Sequence, residues 1–226
     1  MRYLLFFLVG VVSAALALPD KPKVPEAALE RLHKPREENL IVPQVVGPTV
    51  LISSVDSSAS GVVLKVKGLV RILTAKHVAD NVKDRTAVYS RAGRVETRRM
   101  AVVVVKAPEA DLALLTPEDD KWLVPAFQSS VDPVPQPGEE AWYCGYGSLV
   151  PFNLVKTIVN QMAMHGELVV NGEGWKGHSG SGVFVKRAGK WVLAGIVVRP
   201  VASGSPHSPV GCVPWADIHT FLESVK

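Results

Sequence analysis

Residues 174–184 read GWKGHSGSGVF, with four glycines and two serines in eleven positions. The run that follows, VFVKRAGKWVLAGIVV (183–198), is rich in β-branched and aromatic residues, which is strand composition. An ordinary turn needs one or two glycines. Four of them around Ser179 and Ser181 suit a segment whose backbone must come close to something else, with one of the serines placed for chemistry.

Outward from this stretch the same texture recurs. TVLISSV (49–55), SGVVLKVKG (60–68), LVRILTAKHV (69–78), TAVYSR (86–91), RRMAVVVVKA (98–107) and DLALLT (111–116) are short apolar or alternating runs, most of them separated by turn residues. A proline-rich break, VDPVPQPGEE (131–140), comes next. Strand-like runs then resume with AWYCGYG (141–147), LVKTIVNQM (154–162), GELVVNG (166–172), SGVFVKR and KWVLAGIVV. Short strands at such spacing predict an all-β sandwich or barrel, here in two halves of about 44–130 and 138–226. The end differs. Trp215, Ile218, Phe221, Leu222 and Val225 recur at three- and four-residue steps and predict a short amphipathic helix that closes the domain.

The 226 residues are 47% hydrophobic and 20% charged, a globular composition. A net charge of +4 with scattered basic residues gives no nucleic-acid footprint. The two cysteines, Cys144 and Cys212, are too few for a disulfide-dense scaffold. They form no Cys/His cluster for structural zinc, and whether they pair stays open. At the N-terminus, Arg2 precedes an apolar run from Tyr3 to Leu18 that contains Ala15-Leu16-Ala17. That pattern predicts a cleaved export signal over 1–17 and a secreted or periplasmic protein. A retained membrane anchor is the alternative, although the run is shorter than the ~20 residues that span a bilayer comfortably. Residues 18–43, rich in proline and charge with one short helical run at 26–33, read as a linker or pro-segment.

Three motifs carry chemistry, in chain order: LTAKHVAD with His77, EADLALLT with Asp111, and GHSGSG with Ser179. Each is weak alone. A histidine after a strand is commonly a surface residue, and an aspartate before one is commonly a turn residue. Together they supply what a serine nucleophile needs: a base to take its proton, and an acid to hold the base's tautomer.

These motifs resemble those of the trypsin-like, chymotrypsin-fold serine endopeptidases. LTAKH is similar to the family's Thr-Ala-x-His, DLALL to its Asp-Ile/Leu-Ala-Leu-Leu, and GHSGSG to its Gly-x-Ser-Gly-Gly/Ser. The resemblance implies two six-stranded antiparallel β-barrels with the site between them. It also implies peptide-bond hydrolysis through an acyl-enzyme, a protein or peptide substrate, and no cofactor or metal. It makes Ser179 the nucleophile, His77 the general base and Asp111 its partner, with the N–H groups of Gly177 and Ser179 as the oxyanion hole. Ser181 is left to packing. By position after and before the nucleophile, a substrate pocket falls near Glu173 and Gly174 and near Val197, Val198, Arg199 and Pro200. Glu173 would favour a basic substrate side chain if buried, and Arg199 would favour an acidic one, so specificity stays open. The short spacings between motifs suit compact bacterial or viral members. Animal members have aspartate before the nucleophile, where it pairs with a freed Ile-Val terminus. Here His178 stands there, so Ile41-Val42 is not expected to act as an activation terminus. Two rival readings remain. One is an inactive trypsin-like binding module. The other is an α/β-hydrolase esterase, using Ser179 with Asp217 and His219 in the order Ser, acid, His.

Overall fold

The structure is a computed structural model. It describes residues 41–53, 58–81, 86–91, 94–99, 105–107, 109–121, 123–128, 133–147, 153–162, 166–172, 174, 176–201 and 208–225. The expected export signal, most of the linker, the helical run at 26–33 and Glu173 lie outside these residues.

The first seven strands are β1 (Thr49–Ser53), β2 (Ser58–Val66), β3 (Leu69–Thr74), β4 (Thr86–Arg91), β5 (Arg94–Arg99), β6 (Val105–Lys106) and β7 (Ala113–Leu115). They form one antiparallel sheet in the order β5-β4-β1-β2-β3-β7-β6. The next six are β8 (Glu140–Gly145), β9 (Asn153–Met162), β10 (Leu168–Val170), β11 (Gly182–Arg187), β12 (Lys190–Pro200) and β13 (Val210–Pro214). They close into a barrel in the order β10-β13-β12-β11-β8-β9. A π-helical turn (Val42–Val46) precedes the strands, helix α1 (Lys76–Asn81) follows β3, and helix α2 (Trp215–Ser224) ends the fold.

The all-β architecture with a terminal helix matches the sequence reading, and one six-stranded barrel is present. The other half differs from the expectation of a second six-stranded barrel, because among the described residues it is an open sheet of seven strands. Its two edges, β5 and β6, are joined by residues 100–104, which lie outside the description. Antiparallel strands joined by tight hairpins also exclude the α/β-hydrolase architecture, which needs parallel strands with helical crossovers. Asp217 and His219, the acid and base of that alternative, lie exposed on α2.

Local chemistry explains the hairpins. Lys67 and Gly68, between β2 and β3, both have positive φ (48° and 84°), as do Ala188 and Gly189 between β11 and β12 (47° and 79°). Two consecutive residues of that hand make the tight turn whose twist fits paired strands. Strand β12 reads as an unbroken apolar run because both of its faces are buried. Val192, Ala194 and Val197 join Tyr143, Leu168, Val183 and Val210 in a cluster made only of barrel residues. Trp191, Leu193, Ile196 and Val198 face a larger cluster shared with Val62, Leu73 and Leu114 of the first sheet and with Trp215, Ile218, Phe221 and Leu222 of α2.

Cys144 and Cys212 are both free and buried. They sit in different clusters, Cys144 in the shared core and Cys212 inside the barrel. Burial pushes the Cys144 thiol up to about 12 and raises that of Cys212 as well, so both are inert apolar side chains rather than redox groups.

Candidate active site

The register of the first sheet brings His77 and Asp111 together. Thr74, the last residue of β3, pairs with Ala113, the first of β7. The strands are antiparallel, so the chain leaving β3 toward His77 runs beside the chain entering β7 from Asp111. His77 Nδ1 lies 2.7 Å from Asp111 Oδ2, and the His77 backbone N–H donates to Asp111 Oδ1 at 3.0 Å. Holding both carboxylate oxygens fixes the ring as well as the backbone behind it. The carboxylate accepts a hydrogen bond from Nδ1–H, which keeps the proton on that nitrogen and leaves Nε2 as the basic one.

Electrostatics follow from this pairing. The side-chain bond to Asp111 raises the pKa of His77; burial opposes it, and the charges of Asp111 and Asp80 add to the rise. Burial alone would push the Asp111 carboxyl up. The bonds from the His77 ring and backbone, the His77 charge and the Lys76 backbone together outweigh burial and hold it below the usual carboxylate range. The side chains remain 43% and 36% exposed, so a substrate can approach the pair.

Contacts of the glycine-rich stretch account for its glycines. Gly180 has φ +86°, and a Cβ there would lie 1.9 Å from the Ser60 carbonyl oxygen and 2.3 Å from Thr74 Oγ1. Gly177 has φ +100°, and its missing Cβ would lie 2.1 Å from the Tyr146 carbonyl oxygen. Close approach is therefore to both halves: the Ser60 backbone and the Thr74 side chain of the first sheet, and the Tyr146 backbone in the loop after β8. The Ser60 N–H donates to the Ser179 carbonyl at 2.9 Å, the Gly180 N–H to the Val197 carbonyl at 2.8 Å, and the Val197 N–H to the Ser181 carbonyl at 2.9 Å. Ser179 is thus pinned to the β2–β3 hairpin, three residues past whose end His77 lies. Among the described residues, no hydrogen bond joins Ser179 to His77.

The two serines differ in access. Ser179 is partly exposed, whereas Ser181 is fully buried and its Oγ has no hydrogen-bond partner among the described residues. His178, between Gly177 and Ser179, is also buried. It packs edge-on to Tyr143 with ring centres 5.3 Å apart, and its Nε2 lies 3.4 Å from Asn153 Nδ2.

Of the residues read as a substrate pocket, Glu173 lies outside the described residues. Val197 and Val198 are 2% and 8% exposed and belong to the barrel interior and the shared core, respectively. Gly174 lies against Pro200, whose Cβ would be 3.2 Å from a Cβ at Gly174. The Arg199 guanidinium is bonded to Glu167, at 2.6 Å from Nη2 and 3.2 Å from Nε. Sequence reasoning did not single out Glu167, Ser60 or Thr74. Ser60 and Thr74 had only weak local signals: a serine before a glycine in a strand, and a threonine inside a motif read for its histidine.

An antiparallel barrel and sheet, with a His–Asp pair on one and a glycine-built serine loop on the other, define the class of serine endopeptidases. The sequence model of the trypsin-like peptidase domain matches residues 59–196, more than half of the chain, and the chain belongs to that family. No curated protein matches the sequence. Among solved structures, the serine endoprotease from Yersinia pestis is similar with a TM-score of 0.66 at 18% identity, over 84% of this chain and 68% of that one. An inactive serine-to-alanine mutant of Rv3671c from M. tuberculosis H37Rv is similar with a TM-score of 0.65 at 16% identity, over 85% and 93%. At these identities the likeness is one of fold.

Proposed function

We propose that this serine endopeptidase works through Ser179, His77 and Asp111. The observation that carries the reading is the pair of hydrogen bonds between His77 and Asp111, beside the ends of β3 and β7, while the Ser179 carbonyl accepts from Ser60 of the neighbouring strand β2. In this reading the Ser179 hydroxyl attacks the scissile carbonyl carbon while His77 Nε2 takes its proton. The oxyanion of the tetrahedral intermediate accepts from the N–H groups of Gly177 and Ser179. The C–N bond then breaks as His77 gives the proton to the leaving amine, and an acyl-enzyme remains. Water, deprotonated by the same base, releases the acid and restores the serine. Asp111 stays ionised and steadies the imidazolium.

The substrate is a protein or peptide. We extend the proposal to residues 1–17 as an export signal removed after Ala17, with a retained anchor as its rival.

Labelling with a fluorophosphonate, followed by peptide mapping, tests the mechanism. Wild-type protein should label at Ser179 and cleave peptides chosen by cleavage profiling. Ser179→Ala should label nowhere and lose about 10⁴-fold or more in turnover, while Ser181→Ala keeps labelling at Ser179. A folded wild-type chain that stays unlabelled would make it a binding module of the same fold.

A further inference from the structure

We propose that Ser60 is a positioning residue for the nucleophile loop, its hydroxyl and N–H together setting the two peptide planes that flank the one carrying the Ser179 N–H oxyanion donor. The inference deepens the proposed function and rests on it. Ser60 lies on β2, in the first sheet, and is fully buried. All four of its polar functions are engaged. Its N–H donates to the Ser179 carbonyl at 2.9 Å, and its Oγ–H donates to the Gly177 carbonyl at 2.7 Å. Its Oγ also accepts from the Tyr146 N–H at 3.0 Å, and its carbonyl accepts from Thr74 Oγ1 at 2.8 Å.

These bonds bracket the nucleophile. The Gly177 carbonyl belongs to the peptide plane 177–178 and the Ser179 carbonyl to the plane 179–180. The Ser179 N–H, one of the two assigned oxyanion donors, belongs to the plane between them. One residue thus holds the planes on both sides of that donor. Gly177 has φ +100° and no side chain to restrict it, so its own backbone does not choose the orientation of the 177–178 plane. The Ser60 hydroxyl supplies that choice. Through the Tyr146 N–H it also fixes the loop after β8, whose carbonyl packs on Gly177. Space for the hydroxyl is reserved, since a Cβ at Gly145 would lie 2.8 Å from it. Donors aimed at a developing oxyanion stabilise the transition state more than the bound substrate, so the loss of this anchor belongs in kcat.

The test compares wild type, Ser60→Ala and Ser60→Cys in kcat and KM for one profiled peptide, and in the rate at which fluorophosphonate acylates Ser179, each per folded molecule. Ser60→Cys keeps nearly the same volume and so folds even if the gap left by alanine is too destabilising, while its thiol is a weak donor. Removing an oxyanion donor outright costs about 10²–10³ in kcat, so removing its anchor should cost about 10–100-fold, with KM within about threefold of wild type. Acylation should slow in parallel. A purely structural serine would lower stability and leave kcat per folded molecule intact. Wild-type kcat in either folded variant, or a loss confined to KM, overturns the proposal while the Ser179 mechanism stands. A wild-type chain that neither labels nor cleaves overturns both, and that outcome is read from the wild type alone.

Discussion

At the scale of single residues, the proposed mechanism makes the His77–Asp111 pair set the pH behaviour. In that mechanism His77 serves as base only when neutral, and its pKa lies above the ordinary 6.5. Activity should therefore rise with pH along a limb centred above 6.5. Asp111→Asn removes the bond and the charge that raise it, so the limb should move down, and kcat should fall by about 10³–10⁴ because the ring loses its tautomer control. A pH profile of kcat/KM for both proteins checks this; an unmoved limb would show that another group titrates there. The same pair links to stability with opposite signs. The raised His77 contributes below its ordinary value and loses that contribution as pH rises through its folded pKa. The lowered Asp111 contributes above 3.8 and loses that contribution as pH falls through its folded pKa. His77, Asp111 and Ser179 could be read as candidates because each sits in a short local motif. Ser60 could not, because its meaning lies in partners 86 and 117 positions away.

At the scale of elements, close packing of the serine loop predicts a contrast between two glycines of similar φ. Gly180 has φ +86° and sits against the Ser60 carbonyl, whereas Gly189 has φ +79° with nothing within 4 Å of where a Cβ would stand. Gly189→Ala should cost about 1–2 kcal/mol, the effect of the left-handed conformation alone. Gly180→Ala adds a backbone collision and should cost about 3 kcal/mol or more, along with most of the activity. Denaturant melts of the two variants measure the difference, and equal midpoints would refute the packing argument. Strand β12 shows what periodicity can conceal. Its pairing with β11 shifts register between Val183 and Phe184, so the alternation of its side chains changes phase, and Val197 faces the barrel interior while Ile196 and Val198 face the shared core. A β-bulge leaves no mark in a run that is apolar on both faces, so the sequence could not show which core each of Val197 and Val198 faces.

At the scale of the whole molecule, export is the remaining testable reading. Protein recovered from the medium or periplasm of an expressing cell should begin at Leu18 by N-terminal sequencing, and a retained Met1 would favour an anchor. The two halves are stitched through a short connection: the Ala126 N–H donates to Val63 of the first sheet, and the Leu193 N–H of the barrel donates to Phe127. The sequence alone determined the all-β class, the place of the proline-rich break, the terminal helix and the identity of the candidate triad, because strand composition, turn residues and short motifs are all local signals. Tertiary structure decided the rest. Antiparallel pairing of β3 with β7 closes the 34-residue separation between His77 and Asp111 into two hydrogen bonds. Packing of Gly177 and Gly180 against foreign backbone explains the glycines, and burial separates Ser181 from Ser179. Ion pairing takes Arg199 to Glu167, and opposite core faces keep Cys144 from Cys212. Each depends on which distant residues share a position in space, a quantity fixed by strand register and packing rather than by any local pattern.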